Sequence, residues 1–205
     1  MSNLDKLIEH FEEFPGVGAR QARRFAFHIL TLAPEKINDI ANLVLNLQST
    51  VAECISCHRF FSRNGGTANE CSICSDHNRD RTKLMIVERD SDIVAIERSN
   101  VYDGLYFVLG GTIPLLNSKE TKSLRSGALK ATVETRTAQE LSEIILAFAV
   151  NPDGENTSRY VESFLKEYIT AHSIKVSQLG RGLSTGSELE YADPETIKNA
   201  LLNRH

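Results

Sequence analysis

The chain has 205 residues, of which 23 are Lys or Arg and 27 are Asp or Glu, so its formal net charge is -4. With 41% hydrophobic and 24% charged residues it has the composition of an ordinary globular protein, which excludes a disordered tail and a disulfide-dense miniprotein. The acidic total also excludes a uniformly basic nucleic-acid binder, so DNA binding would require a local basic patch.

The sequence carries no signal for export or membrane insertion. The N-terminus lacks a basic segment followed by an apolar one, and the longest apolar run, Ile144 to Val150, is far too short to span a bilayer. We therefore expect a cytoplasmic protein. In that reducing compartment the four cysteines are expected to be metal ligands or free thiols and not disulfides.

Residues 1–53 are predicted to be helical. Apolar residues in the first stretch follow the i, i+3, i+4, i+7 spacing of one helical face, and similar spacing recurs in a second and a third helix. A turn at residues 14–18 separates the first two helices, and Pro34 starts the third.

The turn between the first two helices carries Gly16 and Gly18, which permit a tight turn whose N–H groups lie where a helix dipole favours an anion. Three arginines follow within two helical turns, at Arg20, Arg23 and Arg24. Residues 14–34 contain no acidic side chain, and Arg20 and Arg24 share one helical face. The pattern resembles a helix-hairpin-helix that binds DNA phosphates without reading bases. The alternative is a hairpin that only packs, with solvated arginines.

Residues 54–83 lack apolar periodicity, and Gly65 and Gly66 mark a loop-rich insert. The insert carries two cysteine pairs, each with a two-residue gap: Cys54, Cys57, Cys71 and Cys74. Zinc takes four such sulfur ligands in a tetrahedron at about 2.3 Å, which leaves no position open for water. The spacing therefore predicts a structural zinc site, with a pair of redox-active dithiols as the alternative. His58 is expected to lie outside the four-ligand shell.

From Leu84 onward, short apolar segments alternate with helical patterns, which predicts a mostly parallel sheet. Strands are predicted at residues 84–87, 105–109, 144–150 and 174–179. Helices are predicted from a cap at Ser91 through Ile96 and over residues 158–171, and residues 119–137 are expected to be partly helical. The predicted fold class is a multidomain α+β protein.

Three acidic residues follow predicted strands in this α/β part: Glu88, Asp153 and Glu155. The carboxyl ends of parallel strands are where α/β sheets place ligands, and carboxylates there could hold Mg²⁺. The arrangement resembles a toprim domain, the metal-binding module of topoisomerases and primases. The alternative is that these are solvated loop acids.

The order of these parts, together with the tail at residues 181–193, resembles the recombination mediator protein RecR family over nearly the whole chain. Further family-like features are Arg79-Asp80 after the finger and the segment from Gly104 to Gly111. The resemblance implies four parts: a helical helix-hairpin-helix region at 1–53, a four-cysteine zinc finger at 54–83, a toprim domain at 84–176, and a C-terminal Walker B-like segment with a helix at 177–205.

The resemblance also implies a function. RecR proteins are not enzymes; they assemble as dimers and ring-like tetramers that can encircle DNA, with the helix-hairpin-helix arginines lining the ring. The toprim domain docks the partner RecO, and the family also works with RecF, so that RecA is loaded onto gapped DNA during recombinational repair. Because no phosphate-binding Gly-Lys-Ser/Thr loop is present, we expect no ATPase activity.

Two departures from the family pattern bear on this hypothesis. Asn151-Pro152 runs directly into Asp153-Gly154-Glu155, about two residues short of the family's usual loop, which puts the Mg²⁺ site in question. The loop at residues 113–116 and the lysine-rich stretch after it are also unusual for the family and bear on partner binding. Two competing hypotheses stay open: a Mg²⁺-dependent toprim nuclease or primase-like enzyme, and a zinc-bearing interaction module that never touches DNA.

Overall fold

The computed structural model describes residues 1–63, 68–115, 124–180, 182–183, 186 and 188–202. Gly65 and Gly66 of the predicted finger, Leu116 with the lysine-rich stretch, and part of the tail including Arg181 lie outside these ranges. The chain divides into two compact units, residues 1–51 and residues 52–205. Among the described residues, no helix combines the length and apolar character that a membrane crossing requires.

The first unit consists of three helices: α1 (Asn3–Glu12), α2 (Ala19–Leu30) and α3 (Pro34–Thr50). Ser2 caps α1 because its hydroxyl accepts the Asp5 backbone N–H at 3.2 Å, while the Asp5 carboxylate accepts the Ser2 N–H at 2.8 Å. α1 and α2 pack as a hairpin around the fully buried Ala22 and Ala26. These small side chains let the two helices approach closely, as the predicted hairpin requires.

The second unit begins with a small subdomain and continues as an α/β sheet with helices between its strands. Its elements are β1 (Val51–Glu53), β2 (Phe60–Ser62), α4 (Ser72–Ser75), β3 (Asp80–Val87), α5 (Asp90–Ser99), β4 (Gly104–Val108), α6 (Ser126–Thr137), β5 (Glu143–Ala147), α7 (Pro152–Ala171), β6 (Lys175–Gln178), a short 3-10 helix (Leu189–Tyr191) and α8 (Pro194–Leu202). Strands β3 to β6 form a parallel sheet in the order β4-β3-β5-β6. The predicted mixed α+β fold with a mainly parallel sheet is confirmed.

The core of the second unit lies along the apolar strands β3, in the middle of the sheet, and β4, at its edge. Leu84 to Val87 of β3 and Leu105 to Val108 of β4 are almost completely buried, because both faces of a parallel sheet are covered. β3 begins four residues before the predicted strand, at Asp80, and its register with β4 shifts between Asp80 and Leu84. Its polar first half is only partly buried, which is why hydrophobicity did not reveal it.

The start of α7 corrects the sequence prediction. The helix was expected from Ser158 but begins at Pro152, with the Asn151 side chain accepting the Gly154 N–H at 2.8 Å. An Asn cap, Pro in the first helical position and acids in the first turn are all helix-start signals. Asp153 and Glu155 therefore lie on the first turn of a helix and not in a loop.

Two further helix boundaries differ from prediction. α5 begins at Asp90, and the predicted cap at Ser91 is wrong: Arg89 is the N-cap residue, and its N–H is accepted by Asp92 at 2.8 Å. The ambiguous stretch contains α6, which starts at Ser126. Its apolar positions Leu129 and Val133 are four residues apart and buried, a pattern too short to stand out among polar neighbours.

A charged network ties the end of the finger to the sheet. The Arg79 guanidinium forms a two-pronged ion pair with the Glu97 carboxylate, one contact being 2.9 Å, and also donates to the Gly104 carbonyl at 3.4 Å. The Tyr106 hydroxyl donates to Glu97 at 2.6 Å. The family-like residues Arg79, Gly104 and Tyr106 thus meet in one network that fixes α5 against β4.

We expect Glu97→Gln to lower the free energy of unfolding at neutral pH by about 2 kcal/mol, between the values typical of exposed and buried ion pairs. The hydrogen bond from Arg79 lowers the pKa of Glu97 in the folded protein. Its contribution is therefore present above the unfolded pKa of about 4.3 and is lost as the pH falls through the lower folded value. Urea unfolding from pH 7 to pH 3 should show the two proteins converging in acid. Glu162→Gln, on an exposed position of α7, is the control, and a constant difference at all pH values would contradict the assignment.

Candidate functional site

The four cysteines of the finger gather at one point. Cys54 and Cys57 lie in the turn between β1 and β2, Cys71 is the N-cap of α4, and Cys74 lies within that helix. Their Sγ atoms all lie within 4.8 Å of one another, and all four residues are buried. The Sγ atoms of Cys57 and Cys71 are 3.6 Å apart, close to the edge of about 3.8 Å that a tetrahedral four-sulfur zinc site would have. The donor set and its spacing fit a four-thiolate metal ion.

The electrostatics of the cluster depend on shared protons. Hydrogen bonds from the other three thiols hold the pKa of Cys54 far below its usual range, and the Cys71 backbone N–H donates to its Sγ at 3.3 Å. Hydrogen bonding to Cys54 raises the pKa of Cys74, because the Cys74 thiol donates its proton to the Cys54 thiolate. A divalent cation would take the place of those protons and hold all four sulfurs as thiolates.

The cysteine cluster is part of the core of the second unit. The four cysteines belong to the same buried group of side chains as the residues of β3 and β4. The Val108 N–H donates to the Cys57 carbonyl at 2.8 Å, and the Phe60 N–H donates to the Asp90 carboxylate at 2.6 Å. The finger is therefore held to the end of β4 and to the start of α5.

His58 does not join the cysteine cluster. It adopts a left-handed conformation, with φ at 60°, and its Nδ1 lies 2.6 Å from the Glu53 carboxylate. Its ring packs edge-on against Phe107, with ring centroids 5.2 Å apart. His58 therefore lies at the interface between the finger and the sheet.

The N-terminal hairpin presents an open helix start beside exposed arginines. Gly16 has φ at 77°, a conformation that favours glycine, and Gly18 is the N-cap of α2 with no side chain to satisfy the first N–H groups. The side chains of Arg20, Arg23 and Arg24 are exposed, and α2 contains no acidic residue. Among the described residues none of the three arginines forms an ion pair. Free backbone N–H groups beside exposed guanidinium groups could bind an anionic oxygen, such as that of a phosphate.

The three predicted toprim acids do not form a donor cluster. Each has a contact of its own: Glu88 pairs with Arg89 at 2.7 Å, the Asp153 carboxylate accepts the Leu115 N–H at 2.9 Å, and Glu155 lies 3.8 Å from Arg159. In the part of the chain that the structure describes, the cysteines are the one group of three or more potential metal ligands whose ligand atoms all lie within 4.8 Å of one another. The Mg²⁺ site stays a prediction.

Asp153 and Thr157 hold the loop after β4 against the start of α7. The Ile113 N–H donates to the Thr157 hydroxyl at 2.8 Å, in addition to the bond between Leu115 and Asp153. A Cβ on Gly154 would lie 2.0 Å from the Ala149 carbonyl oxygen, so only glycine fits this approach. Sequence reasoning missed this role of Thr157, a fully buried polar residue within a helix.

Comparisons with known proteins cover most of the chain. The family model described as RecR, helix-hairpin-helix matches residues 4–47, the one described as Toprim domain matches residues 82–180, and the one described as RecR, C-terminal matches residues 182–205. The first covers the hairpin with its arginines, and the second covers the parallel sheet.

Curated relatives align over almost the full length. The chain is 37% identical over 201 residues to "Recombination protein RecR" of Streptococcus thermophilus, which covers 98% of this chain and 96% of the relative. It is 35% identical over 201 residues to the protein of that name from Prochlorococcus marinus (strain MIT 9312), covering 98% and 94%. The corresponding values for Staphylococcus aureus (strain JH9) are 34% over 202 residues, 98% and 96%.

Proposed function

Because this chain belongs to the RecR family of recombination proteins, we propose that it is a non-enzymatic mediator of recombinational DNA repair that binds DNA as a ring-forming clamp. The observation that carries the DNA-binding part is the acid-free, exposed arginine face of α2 beside its open N-terminus. Arg20 and Arg24 bind phosphate oxygens, Arg23 adds charge nearby, and the N–H groups after Gly16 and Gly18 hold a further phosphate.

Contacts of this kind position the DNA backbone and carry no base information, so binding is independent of sequence. The net charge of -4 agrees with a small basic patch on an acidic chain. A single copy then binds weakly, and a ring multiplies its contacts and encloses the strand.

We propose one structural Zn²⁺ per chain, held by Cys54, Cys57, Cys71 and Cys74. The cluster's burial and its sulfur spacing support this assignment. Bound zinc supplies a cross-link between the β1–β2 turn and α4 and has no catalytic part, because four protein ligands leave no coordination position for substrate.

Assembly into dimers and ring tetramers is supported by an exposed apolar stripe on α3. Ile40, Leu43, Val44 and Leu47 follow the i, i+3, i+4, i+7 spacing, and Leu43, Val44 and Leu47 are each more than half exposed. A helix face of this kind in a water-soluble protein marks a contact surface, here with a second copy of the chain.

The partners follow from the family alone. We propose that the toprim domain docks a RecO-type protein, that a RecF-type protein also takes part, and that the complex promotes RecA loading onto gapped DNA. A Mg²⁺-dependent nuclease or primase-like activity is the competing hypothesis, since Glu88 follows β3 at the carboxyl end of the sheet. Labelled DNA incubated with Mg²⁺ separates the two: cleavage or synthesis that disappears in Glu88→Gln would replace the mediator proposal.

The molecular mass in solution tests the clamp. We expect a mass of two or four times the 22.8 kDa chain, and a shift to the larger form with DNA. Val44→Glu is expected to move the protein toward monomer because it places a charge in the apolar stripe. Asn42→Glu adds the same charge at an exposed position on the opposite side of α3 and is expected to leave the mass unchanged. A parent chain that is monomeric under all conditions would contradict the clamp.

A further inference from the structure

A pocket of about 430 Å³ lies between the finger and α6, and a buried arginine of α6 lines it. Cys74, Glu70, Arg81 and Arg136 are among the side chains that line it. Arg136 is 7% exposed, and its Nε is buried without a hydrogen bond. Within the described residues it forms no ion pair. A guanidinium keeps its charge when buried, so a compensating negative charge is required nearby.

The charged groups around Arg136 indicate where that compensation comes from. Among the groups that line this pocket with Arg136, the Glu70 carboxylate and, once a metal has displaced its proton, the Cys74 thiolate are negative, whereas Arg81 is positive. Glu70, which accepts a hydrogen bond from the Ser56 hydroxyl, is one negative group in the pocket, and the cysteine cluster at its wall is the other. Four thiolates around one Zn²⁺ would carry a net charge of about -2.

We propose that the Arg136 guanidinium is the counter-charge of the four-cysteine zinc centre, a positioning residue that stabilises its metal-bound, fully deprotonated form. This inference rests on the zinc site proposed above. α6 supplies the arginine from outside the finger, so the charge of the metal centre couples the finger to the α/β sheet. The pocket is not assigned to a dissolved anion, because the thiolates and Glu70 already make its surroundings negative.

Two consequences distinguish a counter-charge from a residue that merely fills space. A positive charge near the thiolates raises metal affinity, as other residues next to metal ligands do. The same positive charge lowers the energy of the electrons on the sulfur atoms. Removing it should therefore shift the thiolate-to-metal charge-transfer band of a Co²⁺-substituted centre to lower energy. Packing alone would not shift that band.

The experiment compares full-length Arg136→Met and Arg136→Lys with the parent, and uses Arg81→Met as the matched control from the same pocket. Zinc affinity is measured by competition with a chromophoric chelator, and Co²⁺ spectra are recorded on the same proteins. We expect Arg136→Met to bind zinc about 10- to 100-fold more weakly, with a red-shifted Co²⁺ band. Arg136→Lys should retain most of the affinity, and Arg81→Met should change it little.

Unchanged affinity and an unchanged Co²⁺ band in Arg136→Met would overturn the inference, as would an equal effect in Arg81→Met. If Arg136→Met does not fold, Arg136→Gln removes the charge, keeps hydrogen-bond donors and carries the same expectations. A parent that binds no zinc would instead overturn the proposed metal site itself. The two failures are therefore distinguishable.

Discussion

Replacing Cys71 by alanine is expected to abolish stoichiometric zinc binding and to unfold the finger. Structural zinc contributes about 10–16 kcal/mol to folding in finger peptides, which equals or exceeds the total stability of most domains. Removing one of four ligands leaves a buried site with three sulfurs and an open position. Metal analysis of the purified protein measures the zinc, and thermal unfolding followed by circular dichroism measures the fold.

The structure extends this expectation beyond the finger. The four cysteines share a buried core with Leu84 and Phe107, so the loss of metal should also lower the unfolding temperature of the sheet. Ser72→Ala changes an exposed neighbour in α4 and is expected to keep full zinc and stability. A well-folded Cys71→Ala protein with unchanged zinc content would rule out the four-cysteine site.

The double substitution Arg20→Ala/Arg24→Ala is expected to weaken DNA binding about a hundredfold, since two charge-assisted phosphate contacts are lost per chain. The plot of log affinity against log salt should become shallower by about 2 for each chain in contact, because fewer counterions are released. Both quantities come from titrations of labelled DNA across a range of salt concentrations.

The matched control, Lys6→Ala/Lys36→Ala, removes the same charge from exposed positions on α1 and α3. It is expected to change the affinity far less, because Lys36 pairs with Asp39 at 3.1 Å and neither lysine lies on α2. Equal losses in both double variants would mean that net charge alone acts. No loss in Arg20→Ala/Arg24→Ala would favour the interaction module that does not touch DNA.

The strands and the cysteine cluster are features that residues close together in the sequence are sufficient to predict. Leu84–Val87 could be identified because a strand buried on both faces needs a continuous apolar run, whatever packs against it. The cysteine pairs could be identified because a two-residue gap brings both sulfurs to one side of a tight turn. The start of α7 could also have been predicted, because Asn151 and Pro152 are residues typical of helix starts.

The contacts of the toprim acids are features that local sequence pattern could not predict. Their positions after strands predict a shared metal site, which stays a prediction, but they did not predict that Asp153 and Thr157 accept hydrogen bonds from the loop at residues 111–115. The partners in the bond between Ile113 and Thr157 are 44 residues apart in the chain. No spacing rule connects residues so distant, and the shortened segment before Asp153 gave no indication of this contact.

Features that depend on neighbours a few residues away could be predicted from local sequence: the glycine turn, the arginine face of α2, the cysteine pairs, and the strands of the sheet. Which of these features contact one another depends on the three-dimensional fold. The fold packs the cysteine cluster into the core of the sheet and brings the Leu115 N–H to the Asp153 carboxylate. It also places Arg136 of α6 in the same pocket as Cys74. The physical reason is that local conformation follows from steric and hydrogen-bonding preferences of adjacent residues, whereas charge compensation and burial depend on side chains that only folding brings together.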